Sequence, residues 1–479
     1  MKSRICLFVM TLLLAAQPGY TQSCNCESNF KWMKKTFEEN DAGFSYVLDK
    51  KGKDAYEVHN QQILKRVKAA KSNEACLAVM TDWLRFFRKG HSYVRLTKPA
   101  PAAKPVSPAT WEMQSVDTVK FKEQLSLSKQ PGFEGIWHTG VYSIAIIRKG
   151  DQYIGSIVSA EAPTWKPGMV KLRINTAKDT LNSVYYMRDF SAVTSNKVMT
   201  LGRNYLQLGS TILKRTYPEN FKDDAVITEY CNSLGASVPF LVKRNDNTFY
   251  LRIPSFDRSN LGIIDSLMKA NKQELVKTRN LIVDIRGNGG GSDATYGPLF
   301  PFLYTNPIRG VGVEYYSTKL NNQRMLDFIN KPEYGFGAEE KAWAKKAYDK
   351  LEEHLGEFVN LNGRIVSVDT LPEKYPNPQQ VAIIIDENNG STAEQFLLEA
   401  KQSRKVKLYG VTTFGVLDIS NMYEQVSPCK DITLGYCLTR SLRIPDFTID
   451  AKGIQPDYYI DRSIPSYEWV NFVNGLMND

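Results

Sequence analysis

Two short runs, NLIVDI at residues 280–285 and VAIII at residues 381–385, are apolar at consecutive rather than alternate positions. A strand with this pattern has no face suited to water, so both runs belong to a largely buried sheet that other elements must cover. Each run ends in turn-forming residues: Arg286 and then Gly287-Asn288-Gly289-Gly290-Gly291 after the first, Asn389-Gly390 after the second. Ser391 comes next, and residues 393–401 have helical spacing. A strand–turn–helix order sets the Ser391 hydroxyl beside the unpaired first-turn amides and the positive end of a helix dipole, which suits a nucleophile. It equally suits a plain helix start, because Ser391 and Glu394 form an S-x-x-E capping box. Local sequence leaves both readings open.

Around these runs the chain changes character several times. Lys2 and Arg4 precede an apolar stretch at 5–16 and small or polar residues through Ser23, the layout of a secretory signal peptide over 1–23. Residues 24–97 read as a helical region, with Phe30, Trp32, Met33 and Phe37, and then Ile63, Leu64, Val67, Leu77, Met80, Trp83, Leu84 and Phe87, at helical spacing. Arg88-Lys89-Gly90 stops the last helix, and His91 precedes a short strand at 92–96. A linker over 98–119 opens with KPAPAAKPVSP. Residues 120–224 then form a β-rich insert: period-two runs at 141–147, 153–158, 169–174, 184–187, 198–201 and 205–213 predict a small antiparallel barrel or sandwich, with Trp137 and Trp165 as core or lining a cavity, the core reading being favoured for want of convergent polar groups. From 225 to 479 strands alternate with helices, an α/β or α+β core carrying a helical insertion at about 305–379.

Composition narrows the function classes. The formal net charge of +10 is spread over 479 residues without basic runs, so it supports solubility and not nucleic-acid binding. No run after the signal reaches the roughly 18 apolar residues of a membrane span. A cut after Ser23 leaves Cys24 first, a candidate for lipid attachment. Export permits disulfides; spacing favours Cys429 with Cys437, and less strongly Cys24 or Cys26 with Cys76. The chain is therefore read as exported, periplasmic or extracellular. Its four histidines, His59, His91, His138 and His354, show no zinc spacing and no H-E-x-x-H, so neither a metal nor a cofactor is expected. The glycine run 287–291 matches neither a P-loop nor a helix-opening G-x-G-x-x-G.

Taken in order, LIVDIRGNGGG at 281–291, NGSTAE at 389–394, GVTTFG at 410–415 and GIQPD at 453–457 resemble the signatures of the S41 serine peptidases, the family of the tail-specific and tricorn core proteases. The resemblance covers about 225–479 and the segment near His91. It implies an S41 peptidase core, a protein or peptide substrate and no cofactor. In the tail-specific branch a lysine follows T-F-G as the base, whereas here Val416 stands in that place and cannot accept a proton. The tricorn-like branch uses a histidine after the helical region, and Gly90-His91-Ser92-Tyr93 is similar to that motif. The resemblance thus implies Ser391 as nucleophile, His91 as general base and Asp450 as the acid orienting His91. It also implies an oxyanion hole made by the amides of Thr392 and of Gly289 or Gly290. No G-L-G-F-like loop of a PDZ module lies between His91 and Ala225, so tail specificity is not implied. The reading is an exported serine endopeptidase; the alternative is a catalytically silent peptide- or ligand-binding protein on the same fold.

Overall fold

The computed structural model describes residues 25–97, 111–127, 132–176, 181–219, 221–222 and 224–478. The signal segment, Cys24 and most of the linker lie outside them. No helix among the described residues is long and apolar enough to cross a membrane.

Four helices form the N-terminal region: α1 (Cys26–Asn40), α2 (Phe44–Lys51), α3 (Lys53–Ala69) and α4 (Asn73–Arg85). Asn25 and Ser28 form a reciprocal cap at the start of α1, and the Ser72 hydroxyl accepts from the Ala75 amide at the start of α4. Their apolar stripes meet around Trp83, which is fully buried. Its ring lies edge-on to Phe30 and Phe37 at 5.9 and 5.5 Å between centroids, and its N–H donates to Asn60 Oδ1 at 2.8 Å. The same cluster includes Leu434, Tyr436 and Leu438, residues far later in the sequence, so the helices pack directly on the C-terminal α/β region.

After β1 (Tyr93–Leu96), nine antiparallel strands make the insert. From β2 (Gly135–Thr139) to β7 (Ala192–Ser195) each strand pairs with the next; from β8 (Val198–Leu201) to β10 (Thr211–Tyr217) likewise, and β10 pairs with β2. The two edges of this sheet, β7 and β8, are therefore separated in sequence only by Asn196 and Lys197. Flat strands about 4.8 Å apart would hold those edges nearly 40 Å from each other, yet three Cα steps reach only about 11 Å, so the sheet must curl until it is nearly closed. Trp137 and Trp165 are core. Lys171 is buried with them, its ammonium 3.8 Å from the Trp165 ring centre and 3.9 Å from that of Tyr142. Burial pushes the Lys171 amine down to about 7. The period-two run at 205–213 is split by Gly209 at φ +61° into two strands, and the strands at Gly135–Thr139 and Ala192–Ser195 carry too little alternation to have been read.

The remaining strands are β11 (Phe240–Asn245), β12 (Thr248–Arg252), β13 (Asn280–Asp284), β14 (Ile308–Val311), β15 (Val313–Tyr316), β16 (Phe358–Val359), β17 (Val366–Asp369), β18 (Gln380–Ile385), β19 (Val406–Gly410), β20 (Ile419–Val426), β21 (Ile432–Ser441) and β22 (Tyr458–Tyr459). A six-stranded sheet runs β11-β12-β13-β18-β19-β22, parallel throughout except at β11. Both continuous apolar runs lie at its centre, fully buried, with helix Thr392–Ala400 on one face and helix Trp469–Asn478 on the other. A second sheet joins β1, β21, β15 and β16 with β20, and so carries the chain segment next to His91 to the C-terminal half.

Of the two cysteine pairings that spacing suggests, the weaker one, to Cys76, forms, and Cys429 with Cys437 does not. Cys26 is bonded to Cys76, whereas Cys437 is a free, buried thiol and Cys429 is bonded to a partner outside the described residues. The β20–β21 hairpin pairs Cys437 with Met422 across the strands, so eight residues of separation from Cys429 run along one strand and its turn instead of across them. Replacing Trp83 by alanine removes the centre of the helical cluster and is expected to cost about 3–5 kcal/mol, read as a lower urea midpoint at unchanged m-value.

Candidate active site

In-register pairing of β13 with β18, Asp284 opposite Ile384, brings the two turns after them side by side at the carboxyl edge of the sheet. Gly290, at φ +112°, is pressed so closely to the serine turn that a Cβ there would lie 2.9 Å from both Ser391 Cβ and Thr392 N. Asn389 ties the turns together: its amide donates to the carbonyls of Ile285 and Asn288 at 2.6 and 3.1 Å, while its Oδ1 accepts from Asp386 N. Asn288 does the same on the other side, donating to Ile253 O and accepting from Gly290 N at 2.9 Å. The Gly290 amide is thus engaged. Among the described residues the amides of Gly289 and Thr392 have no protein acceptor, Thr392 N being the first-turn donor of helix Thr392–Ala400.

Ser391 does not cap that helix. It sits at φ 56°, ψ −126°, and its side chain makes no capping bond. A non-glycine residue at such angles is strained, at a cost of order 1–3 kcal/mol that the surroundings must hold in place. Glu394, the other half of the expected capping box, turns away to the 413–416 loop, where its buried carboxylate accepts from Thr413 Oγ1 and from the amides of Gly415 and Val416 at 2.8 Å each. Burial raises the proton affinity of Glu394, and these three donors oppose the rise.

His91 reaches the same loop from the N-terminal side. Gly90 and Gly390 both abut Val416: a Cβ on the first would meet Val416 Cγ2 at 2.9 Å, and on the second Val416 Cγ1 at 2.8 Å. Ser391 N donates to Val416 O at 2.9 Å, and His91 Nδ1 lies 2.7 Å from Ile419 O. Those carbonyls belong to residues three apart, whose Cα atoms are at most about 11 Å from each other. A carbonyl only accepts, so this contact places the ring proton on Nδ1 and leaves the Nε2 lone pair available. Burial lowers the His91 proton affinity, and the nearby Arg88 cation lowers it further, against the Ile419 contact and Asp41.

Asp450 stands one layer behind. Its Oδ1 accepts from the amides of Leu417 and Asp418 at 2.6 and 2.7 Å and its Oδ2 from Ile419 at 3.3 Å, so it shapes the segment whose carbonyl meets His91. Asp418 answers in kind: Oδ2 accepts from Ile449 and Asp450 amides, and Oδ1 meets Arg443. Burial raises the Asp450 proton affinity and Asp418 adds to the rise. Among the described residues His91 is hydrogen-bonded neither to Asp450 nor to Ser391.

Beneath the glycine turn, Asp284 is fully buried and paired with Arg286 at 2.7 Å, with Arg252 at 3.8 Å and Tyr250 OH at 2.9 Å. Burial alone would raise its carboxyl, but the two guanidiniums outweigh it and hold it at about 2. A cleft of about 1240 Å³ also opens at the carboxyl ends of β13, β18 and β19, between Lys197 and Met199 of the insert and Trp469; Ser391, His91 and Asp450 are not in its walls. Among the described residues no group of three or more histidines, cysteines or acids is placed to hold a metal ion. The bracing roles of Asn288, Asn389, Glu394 and Asp418 were not read from sequence, because each depends on a partner between 19 and 104 residues away.

Residues 247–460 match the profile of Peptidase family S41. No curated protein matches the chain. Among solved structures, mature CPAF complexed with lactacystin is 12% identical, with a TM-score of 0.52 over 94% of this chain and 98% of that one, a likeness of fold. The photosystem II D1 C-terminal processing protease is 10% identical with a TM-score of 0.38, covering 94% of this chain and 95% of that one. Tricorn protease is 13% identical with a TM-score of 0.37, covering 95% of this chain and 36% of that one. On the ordered motifs, the buried parallel sheet and the family match, residues 247–460 are a serine-type peptidase domain of family S41.

Proposed function

We propose that the protein is an exported serine endopeptidase in which Ser391 is the nucleophile and His91 the general base. The observation that carries this reading is the strained, uncapped Ser391 at the head of a helix whose Thr392 amide is open. A silent binding protein on the same fold gains nothing from that strain, which disfavours the alternative.

In this reading His91 Nε2 takes the Ser391 proton as Oγ attacks a peptide carbonyl, and the proton is then passed to the leaving amine. Water, activated by the same imidazole, releases the acyl group. The amides of Gly289 and Thr392 hold the oxyanion, each contributing roughly 3 kcal/mol to the transition state. Gly290, its own amide held by Asn288, serves by its lack of a side chain against Ser391. Asp450 positions His91 through Ile419 O instead of touching the ring. Phe414, 40% exposed beside Gly390, offers an apolar wall to the substrate. Export rests on the signal-like residues 1–23, and Cys24 is the proposed point of lipid attachment.

A fluorophosphonate probe is expected to label wild type, to fail on Ser391→Ala and to label His91→Ala at least about 100-fold more slowly; equal labelling of wild type and Ser391→Ala would remove Ser391 from the mechanism. The base must be neutral, and His91 binds its proton more weakly than an ordinary histidine. The rate should therefore fall as pH drops through a midpoint below about 6.5, measured as kcat/KM against pH, and this acid limb should vanish in His91→Ala.

A further inference from the structure

His91 is held twice, and only the ring contact belongs to the mechanism above. Its backbone has φ +54°, which Cβ resists in any residue but glycine, and its own carbonyl is held by Arg88. Arg88 donates to it through Nη2 at 2.9 Å and Nε at 3.3 Å, and the Cys437 thiol, with a single proton, lies 3.3 Å from this carbonyl and 3.4 Å from Ile419 O. Arg88 is itself forked onto Asp41, Nη1 to Oδ1 at 2.8 Å and Nη2 to Oδ2, with side-chain exposures of 7% and 0%. Asp41 fills its remaining lone pairs from the backbone, accepting from Gly43 N at 2.9 Å and Cys437 N at 3.0 Å. Gly43 leaves no room for anything larger, since a Cβ there would lie 2.9 Å from Ile419 Cγ2 and 3.0 Å from Arg88 Nη1. One ion pair thus joins the α1–α2 turn, the end of α4 and β21 to the backbone of His91.

A buried ion pair is a weak source of stability, because desolvating two charges offsets their attraction and a well-packed apolar pair does as well. What leucine at position 88 could not supply is a set of directed N–H donors. We propose that the Asp41–Arg88 pair is the positioning element of His91, fixing its backbone through its carbonyl while Ile419 O fixes its ring. The groups that bear electrically on the ring are Arg88 and Asp41, with Cys437 beside the pair and Asp450 and Asp418 behind Ile419.

The inference rests on His91 being the base, so the test has one readout that needs activity and one that does not. In the full chain, Arg88→Lys keeps the charge but loses the fork, and the double variant Asp41→Asn with Arg88→Gln removes both charges while leaving hydrogen-bonding groups. The activity readout expects kcat to fall about tenfold or more with KM changed less than about twofold, since misplacing a base leaves binding alone. The independent readout is nuclear magnetic resonance titration of the four histidines, in which only His91 should change its midpoint and lose its single bonded Nδ1–H signal. If either variant keeps both the wild-type kcat and the wild-type His91 titration, the proposal is overturned. If the wild type does not label with fluorophosphonate yet the His91 titration moves in the variants, the peptidase reading fails and the positioning role stands. Should the double variant not fold, Arg88→Lys decides alone.

Discussion

The parallel pairing of β13 with β18 is the constraint on which everything at the site depends. Register fixes the two turns as neighbours, and only because position 290 carries no side chain can they close until Ser391 Cβ lies against it. The sheet in turn needs its apolar strands covered on both faces, which explains why one helix starts at Thr392 and another, far later, closes the opposite side. Asp284, Arg286 and Arg252 form a charged plug where the strands end, and their mutual pairing makes a polar group tolerable at full burial.

Around the site, acids work mainly as backbone clamps. Glu394, Asp418, Asp450, Asp386 and Asp41 each accept from at least two main-chain amides or from an amide and a side chain. A carboxylate has about four lone-pair positions and can therefore fix a loop that has no ladder of its own. This is how the 413–419 segment, which is neither helix nor strand until Ile419, presents two carbonyls to Ser391 and His91 at once.

Much of this architecture was legible because burial writes itself as periodicity. The two apolar runs, the helical spacing from Phe30 to Phe87 and the period-two runs of the insert each reflect a face that must leave water. Long-range partners leave no such trace. Glu394 looked like half of a capping box because its spacing from Ser391 is right, yet its donors lie some 20 residues ahead in the 413–416 loop. Cys429 and Cys437 looked like a pair because they are close in sequence, but strand register, not separation, decides what faces what. Asp450 was identified by its place in a motif, and the motif says nothing about whether the carboxylate meets the imidazole or the loop that carries the imidazole's acceptor.

Pairing of β1 with β21 joins residues 93–96 to residues 432–435. The early strand is therefore an edge without its neighbour until residues 432–435 exist, and the segment leading to Ile419 lacks its carboxylate clamp before Asp450 is in place. A chain emerging from the ribosome carries His91 long before it carries Ser391, and it cannot set the two against one loop. Order of synthesis is thus built into the site: the surroundings of Ser391 are completed only when residues 432–435 and Asp450 have joined segments made far earlier.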